Sequence, residues 1–395
     1  MTINLPERWH KIKLGTLIRL KRGYDLPKKQ RQNGKYAVVG SNGIVDHHNI
    51  YKVEGPGVTV GRSGNIGNPF LSYENFWPLN TTLFVEEYYD SDPFFVYYLL
   101  KHLNLKRFDA GSAVPTLNRN HIHPLEIIVP ERIIEQKVIG LMLNFFDKKI
   151  DINQQMNDIL EKITLVIFKS RFIEFEPFQE DNFVESKLGR IPEGFDIVMI
   201  KDFGEVITGK TPSTRKKENF GQKIPFITIP DMRNNCFILE TQRYLSEIGR
   251  FSQVNKDLPP NSICVSCIAT PGLVSITTEL SHTNQQINSI IPNNHYYLYY
   301  LYFALKGINR LIENLGSGGT AVLNLNKGNF EKINLIMPSK DILIKFSKIL
   351  NPIMEKIKEN KREIILLAKL RDLLLPQLIS GRLRINNPKK FLEET

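Results

Sequence analysis

Residues 133–172 read IIEQKVIGLMLNFFDKKIDINQQMNDILEKITLVIFKSRF, and the predicted architecture follows from this segment. It holds no proline and only one glycine, Gly140, and its apolar positions recur at alternating steps of three and four residues. That spacing is typical of a coiled-coil seam on one long helix, about 60 Å long at about 1.5 Å per residue. The predicted seam consists of Ile139, Met142, Phe146, Lys149, Asn153, Met156, Leu160, Ile163 and Ile167.

The same pattern returns near the end of the chain. The second seam consists of Phe346, Ile349, Ile353, Lys356, Asn360, Glu363, Leu367, Leu370 and Leu374. A buried polar residue at a seam position fixes helix register, and we predict this role for Asn153 and Asn360. Pro352 is expected to kink or interrupt the second helix near Ile349. The alternative is that each helix is simply amphipathic and packs on its own domain.

Other matches in the same order indicate an internal duplication. Pro6-Glu7 returns as Pro192-Glu193, and Leu117-Asn118 returns as Leu323-Asn324. Between the helices, short β-branched and aromatic runs alternate with Gly, Asn and Pro turns, which favours a mixed α/β (α+β) fold for two similar domains. The predicted divisions are a first domain, a first helix, a second domain, a second helix and a C-terminal tail, at residues 1–132, 133–176, 177–340, 341–383 and 384–395.

Composition points to a polyanionic partner. The 395 residues carry a formal net charge of +11, which favours nucleic acid over an acidic membrane surface. Three cysteines argue against a disulfide framework and fit a reducing cytoplasm. The sequence shows no signal-peptide pattern and no apolar run long enough to span a membrane, so we expect a cytoplasmic protein.

Basic and amide side chains gather in glycine-flanked segments of both domains. Such segments approach DNA closely, because Arg can pair with guanine and Asn or Gln with adenine, while Lys attracts phosphate. Taken singly, each segment is better explained as a solvated turn, but equivalent segments in both halves of a basic chain favour DNA contact. In the first domain the candidate DNA-binding residues are Lys21, Arg22, Lys28, Gln30, Arg31, Ser41, Asn42, Arg62, Ser63, Asn65, Thr116, Asn118 and Arg119. In the second domain they are Lys210, Thr211, Ser213, Thr214, Arg215, Lys216, Arg233, Gln285, Gln286, Ser317, Thr320 and Asn324.

Two patterns suggest chemistry, and neither is convincing. Residues 204–211, GEVITGKT, fit the Walker A pattern of ATP-binding enzymes, but β-branched residues fill the loop and Pro212 follows where a helix should begin. Cys264 and Cys267 form a lone C-x-x-C inside an apolar run, which favours two core cysteines over a zinc site. We therefore predict no catalytic residue and no metal site.

Longer strings carry a family resemblance. In the first half they are residues 22–27 (RGYDLP), 40–44 (GSNGI), 55–64 (GPGVTVGRSG), 76–82 (FWPLNTT) and 111–118 (GSAVPTLN). In the second half they are residues 191–194 (IPEG), 208–213 (TGKTPS) and 374–383 (LLPQLISGRL). Over nearly its full length the chain resembles the DNA specificity subunits of type I restriction–modification systems.

The resemblance implies an organisation and a set of partners. It implies two target-recognition domains in a pseudo-twofold arrangement, separated by two antiparallel spacer helices, with each domain reading half of a bipartite, asymmetric site in double-stranded DNA. Implied partners are two adenine-N6 methyltransferase subunits, which use S-adenosylmethionine, and ATP- and Mg-dependent restriction (translocase) subunits. Cofactors therefore belong to the partners, and this chain is expected to bind none. The alternative is a stand-alone duplicated DNA-binding protein, such as a regulator or an orphan.

Overall fold

The fold is given by a computed structural model that describes residues 6–108, 116–308, 325–385 and 388–394. The chain divides into two compact units. Unit 1 comprises Met1–Ile152 with Ile364–Thr395, and unit 2 comprises Asn153–Glu363. Both units mix small sheets with short helices, so the predicted mixed α/β class is confirmed.

The first part of unit 1 begins with short strands and closes with the first half of a long helix, whose second half belongs to unit 2. The elements up to the end of this helix are β1 (Trp9–Lys13), α1 (Leu14–Leu17), β2 (Arg19–Arg22), β3 (Tyr36–Gly40), β4 (Gly43–His48), β5 (Gly57–Gly61), β6 (Pro69–Ser72), β7 (Phe76–Pro78), β8 (Thr82–Glu87), α2 (Pro93–His102), α3 (Arg119–Ile122), β9 (Glu126–Pro130) and α4 (Ile133–Phe172). Helix α2 starts where the sequence favours it, because the Asp92 side chain accepts a hydrogen bond from the Phe95 backbone N–H at 3.0 Å and Pro93 occupies the first turn.

Unit 2 repeats this order with additional elements. They are β10 (Phe183–Ser186), β11 (Gly189–Pro192), β12 (Asp196–Met199), α5 (Ile200–Phe203), β13 (Gly204–Thr208), β14 (Phe220–Gly221), β15 (Ile224–Ile227), α6 (Ile229–Met232), β16 (Phe237–Ile238), β17 (Tyr244–Leu245), α7 (Glu247–Phe251), β18 (Ile263–Ser266), β19 (Val274–Thr277), β20 (His282–Thr283), β21 (Ile287–Pro292), α8 (Leu298–Gly307), α9 (Lys327–Glu331), β22 (Asn334–Met337) and α10 (Lys340–Ile379). The chain closes with α11 (Pro388–Glu394), which belongs to unit 1.

The sheets of the two units have the same topology. The order β2-β8-β5-β6 in unit 1 corresponds to β13-β21-β18-β19 in unit 2, where β16 adds a fifth strand. The antiparallel pair β1-β9 corresponds to β12-β22, and the parallel pair β3-β7 corresponds to β15-β20. The duplication seen in the sequence is therefore a duplication of the fold.

Each unit has its own apolar core. Helix α2 packs five buried side chains, from Phe95 to Leu100, against the larger sheet of unit 1. Its counterpart α8 is buried along all of Leu298–Leu305 in unit 2. At roughly 1.5–3 kcal/mol for each large apolar side chain taken out of water, these helices contribute strongly to holding their sheets together.

The C-terminal segment belongs to the core of unit 1. Leu375, Leu378 and Ile379 are buried in the same cluster as Trp9. Just beyond them, the guanidinium of Arg384 donates hydrogen bonds to the buried carboxylate of Glu135 at 3.1 and 3.2 Å. The segment predicted as a tail, residues 384–395, thus begins with an anchored residue and contains α11.

The two long helices, α4 and α10, are each 40 residues long. The predicted interruption at Pro352 is wrong, because α10 runs through this residue, whereas the alternative, a kink, stays a prediction. Pro352 lacks an N–H for the carbonyl of Lys348, but both residues are exposed, so that carbonyl can bond to water. The neighbouring Leu350 and Met354 are buried, and their packing supports the turns on both sides. Among the described residues, no helix has both the length and the apolar character that crossing a membrane requires.

Within each unit, the two helix halves run antiparallel. In unit 1, Glu135 contacts Arg384 and Asp147 contacts Arg371. In unit 2, Asn153 contacts Glu363 and Phe172 contacts Phe346. In both units the residue numbers of contacting positions rise on one side while they fall on the other, as expected for an antiparallel pair.

Part of the predicted seam is displaced by one residue. Met156 and Ile163 are 38% and 43% exposed, whereas their neighbours Asn157 and Thr164 are buried. On α10, Ile349 and Leu370 are likewise exposed. Leu350, the residue after Ile349, is buried. The seam of unit 2 is therefore more polar than the sequence pattern indicated.

Asn153 and Asn360 both lie buried in unit 2. The Asn153 Nδ2 donates to Glu363 Oε2 at 2.8 Å, and the Asn360 Nδ2 donates to Asn157 Oδ1 at 2.9 Å. Each asparagine thus contacts the opposite helix through its amide, which is the geometry that the predicted register role requires. The role itself stays a prediction.

Candidate nucleic-acid interface

A tight backbone contact organises the candidate site of unit 1. At the end of β2, the Gly23 N–H donates to the Thr82 carbonyl at 3.0 Å and the Tyr24 N–H donates to the Pro78 carbonyl at 2.8 Å. A Cβ added to Gly23 would lie 2.2 Å from the Leu79 carbonyl oxygen. Only glycine lets the two segments approach this closely.

The same contact is present in unit 2, at the end of β13. The Gly209 N–H donates to the Ile287 carbonyl at 3.1 Å, and the Lys210 N–H donates to the Thr283 carbonyl at 2.9 Å. A Cβ on Gly209 would lie 2.2 Å from the Asn284 carbonyl oxygen. We call this pair of hydrogen bonds, together with its glycine, the backbone frame of each unit.

The frames carry different side chains at the same place. In unit 1 the Asn80 amide donates to the Asp25 carboxylate. In unit 2 the Thr211 hydroxyl donates to Gln285 Oε1 at 2.7 Å. Each pair places hydrogen-bonding groups on adjacent segments, at a point where a base edge could be read.

A second equivalent contact brings another loop against each frame. In unit 1 the Leu117 N–H donates to the Arg62 carbonyl at 2.8 Å, and in unit 2 the Leu325 N–H donates to the Cys267 carbonyl at 3.0 Å. Arg62 therefore corresponds to Cys267, which is buried. The Arg62 guanidinium donates to the Asn80 carbonyl at 3.2 Å, so this cation is tied to the frame of unit 1 and has no counterpart in unit 2.

The structure brings several predicted residues of unit 1 together around this frame. Ser63 forms a bridge with Thr116, and a Cβ on Gly64 would lie 3.2 Å from the Ser41 hydroxyl. Asn42 is exposed at the same turn, between β3 and β4. Arg62, Ser63, Thr116, Ser41 and Asn42 thus share one region. Asn65 lies half-buried in the adjacent loop, and its carbonyl would block any side chain at Gly61.

Other predicted residues of unit 1 are engaged in contacts within the protein. Lys21 pairs with Glu86 at 2.6 Å, and Arg31 pairs with Asp46 at 3.1 Å. Arg119 donates to the Leu20 carbonyl at 3.1 Å. Asn118 caps α3, accepting the Asn120 N–H at 3.0 Å. These residues have structural partners, whereas Arg22, Lys28 and Gln30 are exposed at the surface.

In unit 2, the basic segment follows the frame directly. Ser213, Thr214, Arg215 and Lys216 are exposed after the buried Pro212. The Asn219 amide holds the start of this run by donating to the Ser213 carbonyl at 3.0 Å. Gln286 Oε1 accepts a hydrogen bond from the Asn284 amide at 2.9 Å, next to the exposed Gln285. Arg233 is exposed at the end of α6, and Ser317, Thr320 and Asn324 lie outside the described residues.

The Walker A pattern has a structural explanation. Gly204–Thr208 forms β13, paired with β21, and the residues from Gly209 to Pro212 are not helical. A phosphate-binding loop needs a helix N-terminus at this point. The segment is instead a strand followed by a turn, in which Lys210 is exposed and Thr211 is half-buried.

The cysteines are core residues, as predicted. Cys264 lies on β18 and Cys267 directly after it, both buried. Burial raises the pKa of Cys264 to about 12 and that of Cys267 to about 11, so both thiols stay protonated at neutral pH. Within the part of the chain that the structure describes, no cluster of three or more His, Cys, Asp or Glu residues could hold a metal ion.

Sequence reasoning missed three residues at the frames. Asp25, Asn80 and Asn284 were not among the candidates, although Asp25 and Asn80 lie in strings that carry the family resemblance. Their signal was available in the repeat, because Leu79-Asn80 and Asn284-Gln285 occupy matching places before β8 and β21.

Comparisons with known proteins agree with this geometry. The family model described as "Type I restriction modification DNA specificity domain" matches residues 6–162 and 192–367, one match in each half of the chain. The "Type I restriction enzyme HindI specificity subunit" of Haemophilus influenzae is 36% identical over 332 residues, covering 69% of this chain and 72% of that protein. The MjaIX specificity subunit of Methanocaldococcus jannaschii is 31% identical over 305 residues, covering 74% of this chain and 69% of that protein.

A solved structure shows the same fold. The type I restriction–modification S subunit from M. genitalium superposes with a TM-score of 0.71 at 18% identity, covering 96% of this chain and 97% of that one. The family match extends over most of the chain and falls on both duplicated units. The chain therefore belongs to the DNA specificity subunits of type I restriction–modification systems, which recognise DNA and are not themselves catalytic.

Proposed function

We propose that each unit reads one half of a bipartite, asymmetric DNA site and that the chain directs partner enzymes to it. The observation that carries this proposal is the pair of matching backbone frames with different side chains, Asp25 and Asn80 in unit 1 and Thr211 and Gln285 in unit 2. Equivalent scaffolds with unlike hydrogen-bonding groups suit two half-sites of different sequence.

Positive charge around each frame supplies the affinity. In unit 2, Lys210, Arg215 and Lys216 are exposed beside the Thr211–Gln285 pair and suit contact with phosphates. In unit 1 the positive charge beside the frame comes from Arg62, whose guanidinium also donates to the Asn80 carbonyl. In this arrangement the lysines and arginines position the duplex, and the amides and hydroxyls distinguish bases.

The proposed division of the chain follows the predicted one. Residues 1–132 and 177–340 would be the recognition domains, residues 133–176 and 341–383 the spacers, and residues 384–395 the tail. The helices α4 and α10 lie inside the spacer ranges except for Lys340, where α10 begins. Spacer length would set the gap between half-sites.

The exposed faces of the helices favour partner subunits over a stand-alone protein. Phe145, Ile159 and Val166 on α4 are 66%, 57% and 64% exposed, and Leu373 on α10 is 65% exposed. Large exposed apolar side chains on helices suit protein contacts. The partners would be two adenine-N6 methyltransferase subunits, with restriction subunits added in a nuclease complex. S-adenosylmethionine, ATP and Mg would be bound by those partners in the cytoplasm.

The test is to co-express the chain with its neighbouring methyltransferase and map adenine methylation across the host genome. A new bipartite, asymmetric motif with a fixed gap is the expected result. If soluble, co-purifying proteins produce no new methylation, the directing role is wrong, and a stand-alone DNA-binding protein becomes the better explanation.

Single variants test the interface. Arg62→Ala and Lys210→Ala should each lower affinity for the mapped duplex, and each should reduce the slope of log affinity against log salt by about one if the lost contact is to phosphate. Lys187→Ala, an exposed lysine in the β10–β11 turn, is the matched control. Unchanged binding by both variants would contradict the assignment of these segments to DNA. A loss of ATP binding in Lys210→Ala would instead favour an ATP-binding enzyme.

A further inference from the structure

A buried glutamine holds the frame of unit 2 from behind. Gln253 is 4% exposed, and it follows α7 in the interval between β15 and β18 where unit 2 is longer than unit 1. Its amide nitrogen Nε2 donates to the Lys210 carbonyl at 2.8 Å. The same nitrogen lies 3.1 Å from Nδ1 of the buried His282.

These contacts determine the protonation state of His282. The two hydrogens of the Gln253 amide point to the Lys210 carbonyl and to His282 Nδ1, so Nδ1 must accept and carries no proton. The proton is then on Nε2, which donates to Asp257 Oδ1 at 2.7 Å. Turning the amide over would place its oxygen against the Lys210 carbonyl, where two acceptors repel each other. The amide therefore has one orientation, and its Oε1 is buried without a hydrogen-bond partner among the described residues.

Charged groups around His282 keep this arrangement in place. Arg250 donates to both carboxylate oxygens of Asp257, at 2.6 Å from Nη2 to Oδ2 and 3.2 Å from Nε to Oδ1. Burial alone would raise the pKa of Asp257, but the hydrogen bonds from Arg250 and His282 outweigh it and the pKa lies below its usual value. Burial lowers the pKa of His282, and the positive charge of Arg250 lowers it further. The hydrogen bond and negative charge of Asp257 raise this pKa, but only enough to offset part of the decrease. His282 is thus neutral at neutral pH.

We propose that Gln253 and His282 are positioning residues for the Lys210–Thr211 turn, and that a proton on His282 releases this turn and weakens the reading of one half-site only. The inference rests on the proposed function. A proton on His282 Nδ1 would face the hydrogens of the Gln253 amide and be repelled by them. The repulsion is removed only if the amide turns over, and the hydrogen bond from Gln253 Nε2 to the Lys210 carbonyl is then lost. Protonation of His282 and the bond to Lys210 are therefore mutually exclusive.

Among its described residues, unit 1 has no equivalent of this linkage. There the place of His282 in the β15–β20 pair is taken by Trp77 in the β3–β7 pair, and its side chain does not titrate. The Tyr24 carbonyl, which corresponds to that of Lys210, accepts a backbone N–H from Asn80 at 3.0 Å. The turn of unit 1 is held by backbone hydrogen bonds, so acid should leave its half-site reading unchanged by this route.

The experiment uses the full chain with its methyltransferase, the duplex found by methylation mapping, and two duplexes in which one half-site is scrambled. Discrimination, the ratio of affinities for intact and scrambled duplex, is measured from pH 8 to pH 5.5 at constant ionic strength. In the wild type we expect discrimination at one half-site to fall about fivefold towards acid, the size of one net hydrogen bond, and to stay constant at the other.

Two variants separate positioning from a merely structural role. His282→Gln retains an acceptor for Gln253 and a donor for Asp257 but cannot titrate, so it should keep neutral-pH discrimination and abolish the pH dependence. Gln253→Leu should lose discrimination at that half-site at every pH, with affinity for non-specific DNA and its salt dependence unchanged. Gln222→Leu, an exposed glutamine of the same unit, is the matched control.

The outcomes are distinct. A pH dependence that is equal at both half-sites, absent in the wild type or retained in His282→Gln would overturn the inference. If His282→Gln does not fold, the pH dependence of discrimination in Gln253→Leu is the deciding measurement. Discrimination in this variant should not change with pH, because the hydrogen bond to the Lys210 carbonyl is already absent, and a retained pH dependence would overturn the inference. An absence of any bipartite motif in the methylation map would count against the proposed function instead.

Discussion

Gly209→Ala tests whether the frame of unit 2 depends on close backbone approach. The added Cβ would lie 2.2 Å from the Asn284 carbonyl oxygen, whereas real Cβ atoms stay beyond 3.0 Å, so the two segments must separate by about 0.8 Å. The flanking hydrogen bonds, from Gly209 to Ile287 at 3.1 Å and from Lys210 to Thr283 at 2.9 Å, would then exceed hydrogen-bonding distance. At about 1 kcal/mol each, their loss lowers the free energy of unfolding by about 2 kcal/mol.

The assay is urea unfolding followed by circular dichroism. With a slope of about 2 kcal/mol per molar urea, the midpoint should fall by about 1 M. Gly23→Ala should behave alike, since its Cβ would lie 2.2 Å from the Leu79 carbonyl oxygen. Gly328→Ala on α9 is the control, because its Cβ would have Asn326 Oδ1 at 3.5 Å as nearest neighbour. A midpoint for Gly209→Ala equal to that of Gly328→Ala would contradict the dependence of this frame on close backbone approach.

Further predictions concern buried polar and titratable groups. Asn360→Ala removes the donor to Asn157 Oδ1 in the seam and should cost about 1–3 kcal/mol of unfolding free energy, measured in urea; an unchanged midpoint would contradict a role for this pair. Because Cys264 and Cys267 are buried and their pKa values are raised, they should resist alkylation by iodoacetamide at pH 8 in the folded protein and react after denaturation. Mass spectrometry of the labelled chain measures this, and rapid labelling of the native protein would contradict their burial. Because burial lowers the pKa of His282, the unfolded chain binds this proton more readily than the folded chain, so the stability that His282 contributes is complete above its ordinary pKa and falls towards acid. Urea unfolding of the wild type and His282→Gln at pH 7.5 and 5.5 measures this difference. Equal losses of stability in the two proteins would exclude His282 as the cause.

The sequence supports the architecture better than the details of the helix seam. Its repeats and the 3.5-residue period predicted two domains and two long helices, which the structure contains. The buried set was misassigned because apolar residues such as Ile159 and Val166 also occupy the outer face of α4. Hydrophobicity alone then does not distinguish the inside of the pair, where Asn157 and Thr164 are buried, from the outside.

Site residues were predictable by type and less so by environment. The structure brings Lys210, Thr211 and Gln285 together, because the glycine turn and the second segment belong to neighbouring strands. Arg31 and Arg119 are of a residue type that commonly contacts DNA, but within the protein Arg31 donates to Asp46 and Arg119 donates to a backbone carbonyl. Such partners lie far apart in sequence, and only the tertiary fold brings them into reach.

Because of the backbone frames, the stability of each unit and its preference for a DNA sequence depend on different groups. The hydrogen bonds of the frames run from main chain to main chain, so they make no demand on the side chains at positions 25 and 80, or 211 and 285, beyond fitting at the surface. Under the proposed function, substitutions there would alter which bases are favoured while leaving stability nearly unchanged. A duplicated chain built in this way can acquire a new target sequence one half at a time, and each intermediate remains a folded protein.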